Sequence, residues 1–255
     1  MLGKKLINSG PISSGANTFA SENFNTVLYT GNGGTQRIGG YINRGAVFNG
    51  SNSYIDISTL DFPTNNFSVS VWVYLNSVSA SSGYDMILTT AKTNSGGYFY
   101  FTFSGNLLYY YDTGAGGAVQ SSTTASNNQW YHCVLTKSST NGVKLYLNNV
   151  VVGSNSGFTS DNTSNTTSGG INTIGWYNTG SSTTVNFDGR MDQMRIFNKA
   201  LSSSEVTTLY GETFASTTIS TTDIFEDNSG IALYQFEGNA NDTGGISGRL
   251  TGDAA

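Results

Sequence analysis

The chain has 255 residues, of which 37% are hydrophobic and only 11% are charged, and its formal net charge is −5. This apolar content excludes global disorder, and the lack of any basic run excludes a phosphate-binding surface for nucleic acid. Residues 1–24 are small, polar and weakly patterned, which indicates an extended N-terminal arm. They contain no apolar stretch long enough for a signal peptide, and we expect no membrane insertion.

From residue 25 onward, short segments alternate apolar and polar side chains and are separated by Gly, Asn and Ser. Such segments recur about every ten residues, which is typical of an antiparallel sandwich or jelly roll. In segment 67–75, FSVSVWVYL, valines occupy one face whereas Trp72 and Tyr74 occupy the other. Because neither face is purely polar, we expect this strand to be covered on both sides.

Segment 187–210 predicts a final strand followed by a short helix. Met191 and Met194 are out of phase for a regular strand, which indicates a β-bulge between them. Ser202 and Glu205 have the spacing of a capping box, so we expect one helix near 202–210, ended by Gly211. This helix is expected to close an edge or an end of the sandwich. The predicted fold class is therefore all-β: a two-sheet antiparallel jelly-roll sandwich with one short helix.

The segment after Gly211 predicts a linker and a further strand. Residues 212–230 are rich in Ser and Thr, and residues 231–255 begin with a Leu-Tyr strand that leads into a Gly/Asn turn. The same pattern occurs at 26–34. We interpret 231–255 as the opening strand of a second, incomplete copy of the domain or as a strand added to a neighbouring subunit, and an orphan strand also stays open. The jelly roll itself is predicted over 25–211.

Six segments, taken in order, resemble the laminin-G-like, concanavalin-A-like jelly-roll family, in its pentraxin-related branch. They are GAVFNGSNSYIDI, FSVSVWVYL, QWYHCVLTK, VKLYLNNVVVG, TIGWYN and FDGRMDQMRIFNKALSSSEV. The resemblance covers residues 26 to about 211 and implies the same two-sheet sandwich. It also implies that the carboxylate of Asp192, in the Gly-x-x-Asp pattern that starts at Gly189, ties a strand to its neighbours.

The phrases MLGKKLI and LYTGNGGTQRI also resemble proteins of tailed bacteriophages, especially marine ones. This resemblance implies a virion protein of the tail fibre or capsid, assembled in the host cytoplasm and exposed extracellularly. Residues 1–24 would then attach the domain to other virion proteins, and a homo-oligomer is expected. A capsid decoration or fibre subunit without any ligand is the structural alternative.

The sequence gives little support for catalysis, and we expect no enzyme. His132 and Cys133, the single histidine and the single cysteine, are adjacent in a predicted strand, so their side chains point to opposite faces and cannot form a nucleophilic pair. Asp188 and Asp192 lie four residues apart. A paired-carboxylate carbohydrate-active enzyme, or the binding module of one, therefore stays open as an alternative.

Asp85 and Asn178 are candidate calcium ligands because of the resemblance. In pentraxin-like relatives, calcium lies on the sandwich face, held by an Asp that begins a mid-chain strand and by an acidic loop after an Ile-Gly pair. Asp85 matches the first position, whereas the loop after Ile174-Gly175 contains Asn178 and no carboxylate. A weak calcium site and a pair of solvent-exposed turn residues are both open interpretations.

Aromatic residues in the middle of the chain predict a glycan-binding site. Sugars stack their C–H faces on aromatic rings while amides and carboxylates bond their hydroxyls. Alternation separates Tyr98 and Tyr100 from Phe99, Phe101 and Phe103, so one set can be core while the other is exposed. The candidate glycan-binding residues are Trp176, Tyr177, Asn178, Tyr109, Tyr111 and Asp112. The predicted ligand is a glycan of the host surface or the environment.

Overall fold

The computed structural model of the protein describes residues 40–42, 45–57, 60, 62–77, 83–92, 98–113, 117–160, 170–178, 184–212, 223–236 and 249–251. Its strands are β1 (Ala46–Asn49), β2 (Tyr54–Asp56), β3 (Phe67–Leu75), β4 (Tyr84–Lys92), β5 (Tyr98–Ser104), β6 (Leu107–Asp112), β7 (Gly117–Thr124), β8 (Trp130–Ser138), β9 (Gly142–Leu147), β10 (Val150–Asn155), β11 (Gly170–Ile174), β12 (Trp176–Asn178), β13 (Thr184–Asn186), β14 (Asp188–Phe197), β15 (Gly230–Tyr234) and β16 (Arg249–Thr251). Helix α1 spans Ser203–Tyr210. The predicted arm over 1–24 lies outside the described residues.

Two seven-stranded sheets form the sandwich. The first sheet has the order β1-β14-β3-β8-β9-β10, with β15 also paired to β14, and the second has the order β16-β2-β11-β4-β5-β6-β7. A short antiparallel hairpin, β12–β13, makes a separate ladder. The strand pairs in both sheets are antiparallel. This arrangement confirms the predicted all-β, two-sheet antiparallel sandwich.

The core lies between the sheets and is built by every second residue of the central strands. Val69 and Val71 of β3 and Phe99 and Phe101 of β5 have zero exposure and belong to one apolar cluster. Across the gap between the sheets, the rings of Phe67 and Phe99 stack with their centroids 5.3 Å apart. Truncating such a buried ring to alanine typically costs about 3–5 kcal/mol, so these contacts fix how the two sheets face each other.

The outer face of β3 is also covered. Trp72 is only 4% exposed. Tyr41 stacks on its ring at a centroid distance of 3.3 Å, and Tyr210, the last residue of α1, stacks at 5.6 Å. The prediction that this strand is covered on both sides is therefore confirmed.

Helix α1 begins with the predicted capping box. The Ser202 side chain accepts a hydrogen bond from the Glu205 backbone N–H, and the Glu205 carboxylate accepts one from the Ser202 backbone N–H. Gly211 follows the last helical residue as its C-cap. No helix among the described residues is long and apolar enough to cross a membrane.

The position of α1 differs from the expectation that it closes an edge or an end. Val206 and Leu209 pack instead against Val134, Tyr146 and Phe197, which face outward from β8, β9 and β14. The outer face of the first sheet thus carries an apolar patch of its own, and α1 covers that patch rather than a strand edge.

Strand β14 contains the predicted bulge, between Asp192 and Arg195. Gln193 adopts a positive φ of 47° there. The Asp192 carboxylate has zero exposure; its Oδ2 accepts the Ile42 backbone N–H at 2.7 Å, and its Oδ1 accepts the Gln193 backbone N–H at 2.7 Å. Asp192 therefore ties β14 to segment 40–42, in agreement with the structural role that the resemblance implies.

The C-terminal strand β15 belongs to this same sandwich. It pairs antiparallel with the second half of β14, where Leu233 lies opposite Arg195. Leu233 and Tyr234 have zero exposure, and Tyr234 and Phe236 lie in the core cluster. The interpretation of this strand as the opening of a second copy, or as a strand added to a neighbour, is therefore corrected, because β1 pairs only with the first half of β14 and β15 fills the remaining edge.

Candidate functional site

Six tyrosines form one aromatic surface on the outer face of the second sheet, which we call the tyrosine face. Five of them belong to β4, β5 and β6, and the sixth belongs to β12; all six are half-buried. They are Tyr84, Tyr98, Tyr100, Tyr109, Tyr111 and Tyr177. Because their rings contact one another, they make a continuous surface rather than scattered exposed residues.

The period-2 alternation of the strands separates this surface from the core. In the register of the sheet, Tyr100 lies opposite Thr89 on one side and Tyr111 on the other. Phe99 and Phe101, its chain neighbours, point the other way and have zero exposure. The prediction that one set of β5 aromatics is core and the other faces outward is confirmed.

Tyr100 occupies the centre of the tyrosine face. Its ring centroid lies 5.1 Å from that of Tyr111, 5.9 Å from that of Tyr98 and 6.1 Å from that of Tyr109. The corresponding angles between ring planes are 21°, 16° and 23°. Rings that are so nearly parallel present a broad apolar surface of similar orientation.

Three phenol groups of this face, those of Tyr100, Tyr109 and Tyr177, are held in the neutral form. Burial, reinforced by neighbouring phenols, raises the pKa of Tyr100 and Tyr109. The same causes, with a hydrogen bond to Tyr98, raise the pKa of Tyr177 to about 12. A neutral phenol both donates and accepts hydrogen bonds, whereas a phenolate would only accept them. The tyrosine hydroxyls can therefore serve ligand groups of either kind.

The rest of the face adds polar groups without charge. Gln120 of β7 is exposed and lies opposite Tyr109 in the register. Among the described side chains that point outward from β4, β5, β6 and β7, none is charged. The arrangement combines apolar ring faces with neutral hydrogen-bonding groups, which is the combination that recognises an uncharged polyhydroxylated ligand.

Tyr177 reaches this face because the chain turns sharply at Gly175. Gly175 has a φ of +85°, and a Cβ built there would lie 2.4 Å from the ring of Phe48. Its N–H donates to the Ile87 carbonyl at 3.1 Å, and its carbonyl accepts from Phe187 at 2.9 Å. Only glycine tolerates both the positive φ and the close contact, so the β12–β13 hairpin depends on this residue.

The predicted site residues are brought together only in part. Tyr109, Tyr111 and Tyr177 all belong to the tyrosine face. Trp176 is half-buried and stacks on Tyr54 of β2, with the centroids 4.5 Å apart, because adjacent strand residues point in opposite directions. The backbone of Asn178 lies in β12 opposite Thr184, and its side chain is outside the described residues.

Asp112 does not lie on this face, so the expectation that it joins the aromatic ligand contacts is wrong. It has zero exposure and points to the core side of β6, where its Oδ2 accepts a hydrogen bond from the Tyr110 hydroxyl at 2.8 Å. Burial raises the pKa of Tyr110, and the neighbouring carboxylate raises it further, so the phenol remains the donor. Alternation places Asp112 with Tyr110, opposite to Tyr109 and Tyr111.

Asp85 is likewise buried. It has zero exposure and lies opposite Phe103 on the core side of β4, so the interpretation as a solvent-exposed turn residue is wrong for this side chain. Among the described residues, no three His, Cys, Asp or Glu side chains come together as metal ligands. Since calcium prefers six to eight oxygen ligands, the described residues give little support to the pair Asp85 and Asn178, which stays a prediction.

The candidate catalytic groups are held in structural contacts. His132 points outward, with its Nε2 2.8 Å from the Ser70 Oγ, whereas Cys133 lies in the core on the other side of β8. Burial lowers the pKa of His132 to about 3 and raises the pKa of the Cys133 thiol. The prediction that the two side chains point to opposite faces is confirmed. Asp188, the remaining candidate, accepts hydrogen bonds from Asn76 and Ser77.

Three tyrosines of the tyrosine face, Tyr84, Tyr98 and Tyr100, and the adjacent Gln120 are absent from the glycan-binding residues predicted from sequence, although alternation had already separated Tyr98 and Tyr100 from the phenylalanines of the same strand. Tyr84 lies within ring contact of Tyr100 and Tyr109, and Gln120 lies beside Tyr109. The alternation of side chains along each strand is the signal that could have identified Tyr84 and Gln120. Tyr84 begins β4 in the same phase as the outward-pointing residues of that strand, and Gln120 follows Val119, which points inward, so Gln120 points outward.

Comparison with known proteins agrees with this architecture. Residues 48–207 match the laminin G family model described as the Concanavalin A-like lectin/glucanases superfamily. No curated protein matches the chain. Among solved structures, a candidate carbohydrate binding protein from Bacteroides ovatus is 17% identical with a TM-score of 0.61; the match covers 81% of this chain and 58% of that protein. The chain thus spans little more than half of that relative.

Two further solved structures are similar. The CBM40 of the Ruminococcus gnavus IT-sialidase, bound to α2,3-sialyllactose, is 13% identical with a TM-score of 0.54; the match covers 66% of this chain and 96% of that one. A heptameric SAP-like pentraxin from Limulus polyphemus is 16% identical with a TM-score of 0.47, covering 65% of this chain and 80% of that one. The family match extends over more than half of the sequence and includes strands β2 to β14 of the two-sheet sandwich. The chain therefore belongs to the concanavalin A-like lectin/glucanases superfamily.

Proposed function

We propose that the protein is a lectin-like domain that binds a neutral glycan on the tyrosine face. The observation that carries this proposal is the set of near-parallel, half-buried rings around Tyr100, which has no charged side chain among its described neighbours on β4 to β7. Sugar rings have apolar C–H faces and hydroxyl edges. The former pack on aromatic rings, and the latter exchange hydrogen bonds with neutral phenols and amides.

The extent of the surface favours an oligosaccharide over a single sugar. Tyr98, Tyr100 and Tyr109 are linked by successive ring contacts along and across two strands, and Tyr177 adds a further ring from the hairpin. Each ring supplies one stacking position, so several sugar units of one chain can be accommodated. Gln120 at the border provides an amide for their hydroxyls.

Family membership supports a carbohydrate ligand, since the description of the superfamily names lectins and glucanases. The Bacteroides ovatus and Ruminococcus gnavus structures share the fold, and their descriptions name carbohydrate binding and a bound sialyllactose. A role as the binding module of a larger carbohydrate-active enzyme fits the same surface. Binding is favoured over catalysis because Asp192, one of the two candidate acids, is buried and held by backbone N–H groups.

The test compares Tyr100→Ala with wild type on a panel of neutral oligosaccharides, followed by titration calorimetry on the best ligand. Loss of the central ring should weaken binding about tenfold, which corresponds to about 1.4 kcal/mol. Tyr100→Phe keeps the stacking surface and should lose less. Tyr210→Ala removes an exposed ring from helix α1, which covers the other sheet, and serves as the control. Equal affinity of Tyr100→Ala and wild type would disprove the proposal.

The setting of this domain is a separate proposal that rests on the sequence resemblance to phage proteins. In this second proposal, residues 1–24 attach the domain to other virion proteins, and the chain forms a homo-oligomer. The tyrosine face is displayed outside the host cell, where it binds surface or environmental glycans. Imaging of labelled chains in intact particles tests the location. A chain that is found in the particle but binds no glycan would instead be a ligand-free capsid decoration or fibre subunit.

A further inference from the structure

The β12–β13 hairpin supplies one ring to the tyrosine face and makes a second aromatic contact on its other side. We propose that Trp176 is a positioning residue for the glycan site: its stack on Tyr54 seats the hairpin, and the hairpin holds the Tyr177 ring against the neighbouring tyrosines. The effect on binding rests on the proposed function, whereas the seating of the hairpin is measured without any ligand. Trp176 would thus act through Tyr177 and not by touching the sugar.

The hairpin is too short to hold its own position. Its ladder has three residue pairs, in which Trp176 lies opposite Asn186 and Tyr177 lies opposite Val185. An isolated two-stranded hairpin is marginally stable at best, so contacts with the rest of the molecule decide where it lies. Because adjacent strand residues point to opposite faces, Trp176 and Tyr177 make these contacts on different sides.

Trp176 contacts a well-anchored strand. Its ring centroid lies 4.5 Å from that of Tyr54, the ring planes are inclined by 20°, and both side chains are half-buried. Stacked aromatic pairs stabilise a contact beyond the area that they bury. Tyr54 begins β2 directly after a turn in which Asn49 Oδ1 accepts hydrogen bonds from the three backbone N–H groups of residues 51–53. The stack therefore ties the hairpin to a fixed point of the second sheet.

The backbone bonds of this region fix the root of the hairpin. Thr173 Oγ1 donates a hydrogen bond to the Trp176 carbonyl at 2.5 Å, and Gly175 makes the turn between them. The N–H of Phe187 donates to the Gly175 carbonyl at 2.9 Å. Trp176 has the first side chain beyond this root, so its stack sets the tilt of the strand that follows. A different residue at position 176 would seat Tyr177 differently.

Tyr177 is the member of the tyrosine face whose place depends on that tilt. Its ring centroid lies 5.5 Å from that of Tyr98 and 6.0 Å from that of Tyr100, with the planes inclined by 39° and 45°. It forms an inclined border of the face and does not continue the near-parallel rings around Tyr100. Such a border limits which sugar units fit beside Tyr100, so the tilt of the hairpin bears on specificity.

The ligand-free test uses the Tyr177 hydroxyl as a reporter. Burial, the phenol of Tyr98 and a hydrogen bond to it, and the phenol of Tyr111 raise the pKa of Tyr177 to about 12, whereas an exposed tyrosine titrates near about 10. Loss of the stack in Trp176→Ala should release the hairpin and lower the pKa of Tyr177 toward that ordinary value. At about pH 11, most of this phenol should then be ionised in the variant and neutral in wild type. Magnetic resonance of ring-labelled tyrosine measures the ionised fraction, and Tyr177→Phe identifies the signal.

Three further variants sharpen this measurement. Tyr54→Ala removes the partner ring while leaving the hairpin sequence intact, and it should lower the pKa of Tyr177 as Trp176→Ala does. Trp176→Phe keeps a stacking ring and should restore most of the wild-type value. Trp130→Ala removes a half-buried ring from the first sheet and should leave the value unchanged. An unchanged pKa of Tyr177 in both Trp176→Ala and Tyr54→Ala would overturn the proposal.

Circular dichroism at the same pH checks the fold of each variant. If Trp176→Ala unfolds, Tyr54→Ala and Trp176→Phe still decide the question, since the first leaves the hairpin unaltered and the second keeps an aromatic ring at position 176.

The binding test measures calorimetric affinity for cellohexaose, maltohexaose and mannohexaose as neutral probes. Trp176→Ala and Tyr177→Ala should each weaken binding of the best of these probes about fivefold, and the double variant should bind no more weakly than Tyr177→Ala alone. A further loss in the double variant, or a loss in Trp176→Ala with an unchanged pKa of Tyr177, would mean that Trp176 touches the sugar and would overturn the proposal. Equal affinity of Tyr100→Ala and wild type would instead refute the proposed function, while the titration alone still decides whether Trp176 seats the hairpin.

Discussion

Asp192 Oδ2 accepts a hydrogen bond from the backbone N–H of Ile42, with an oxygen-to-nitrogen distance of 2.7 Å, although the two residues are 150 positions apart in the chain. The other carboxylate oxygen accepts the N–H of Gln193 at the bulge of β14. One side chain therefore fixes both the irregular part of its own strand and a segment from a distant part of the sequence. Next to Ile42, Tyr41 covers Trp72, so the contact also secures the outer aromatic layer.

The substitution Asp192→Asn should lower the free energy of unfolding by about 2–3 kcal/mol. An amide offers one acceptor oxygen and turns its NH₂ group toward one of the two backbone N–H donors. Urea denaturation measures the change. Asp188→Asn is the matched control, since Asp188 is half-buried and bonds side chains that can reorient, and it should cost under about 1 kcal/mol. Equal losses in the two variants would contradict the role assigned to Asp192.

Burial of His132 predicts a loss of stability in mild acid. Its pKa in the folded protein is about 3, whereas an unfolded chain takes up this proton near pH 6.5. The stability from the neutral ring is thus fully present above about pH 6.5 and is lost as the pH falls toward 3. Between pH 7 and pH 5, the free energy of unfolding should fall by about 2 kcal/mol.

Urea denaturation at a series of pH values checks this expectation, with His132→Gln as the comparison. The glutamine variant cannot take up the proton, so its stability should change little between pH 7 and pH 5. The carboxyl groups titrate mainly below this range and should affect both proteins alike. Parallel pH profiles for the two proteins would show that His132 is not the responsible group.

Strand β15 should be required for folding of the sandwich. Tyr234 has zero exposure within the core cluster, so Tyr234→Ala should cost roughly 3–5 kcal/mol in thermal or chemical unfolding. Ile231, in the same strand, is only half-buried, and Ile231→Ala should cost much less. Because β15 pairs with β14 of its own chain, the difference in melting temperature between Tyr234→Ala and wild type should be the same at low and at high protein concentration. A difference between the two proteins that changes with concentration would instead favour exchange of this strand between subunits.

Local sequence patterns predict much of this fold because they act within a few residues. The valines of β3 and the phenylalanines of β5 alternate with outward residues, and Ser202 and Glu205 satisfy each other across a single helical turn. The phase change before Met194 likewise marks a bulge of one strand. In each case the physical cause, strand pleat or a free helix end, is local to the segment.

The features that sequence missed depend on pairing between distant segments. The Leu-Tyr pattern of β15 is the same whether it pairs with its own β14 or with another copy, so the pattern alone does not identify its partner. The site of α1 depends on Val134 and Tyr146 meeting Phe197 on one face, which requires the register of three strands. Asp112 is a different case: alternation separates it from Tyr109 and Tyr111, and only its proximity in sequence groups it with them.

Gly175 has a consequence for how new specificities can arise on this scaffold. Any larger residue there would collide with Phe48 and tilt the hairpin that delivers Tyr177 to the neighbouring rings. The direction in which the hairpin leaves the sheet is thus fixed, while the side chains it carries are free to vary. Related chains are expected to diversify what they recognise by exchanging residues 176 and 177 and to keep the pivot glycine unchanged, so protein engineers who wish to retarget the domain should do the same.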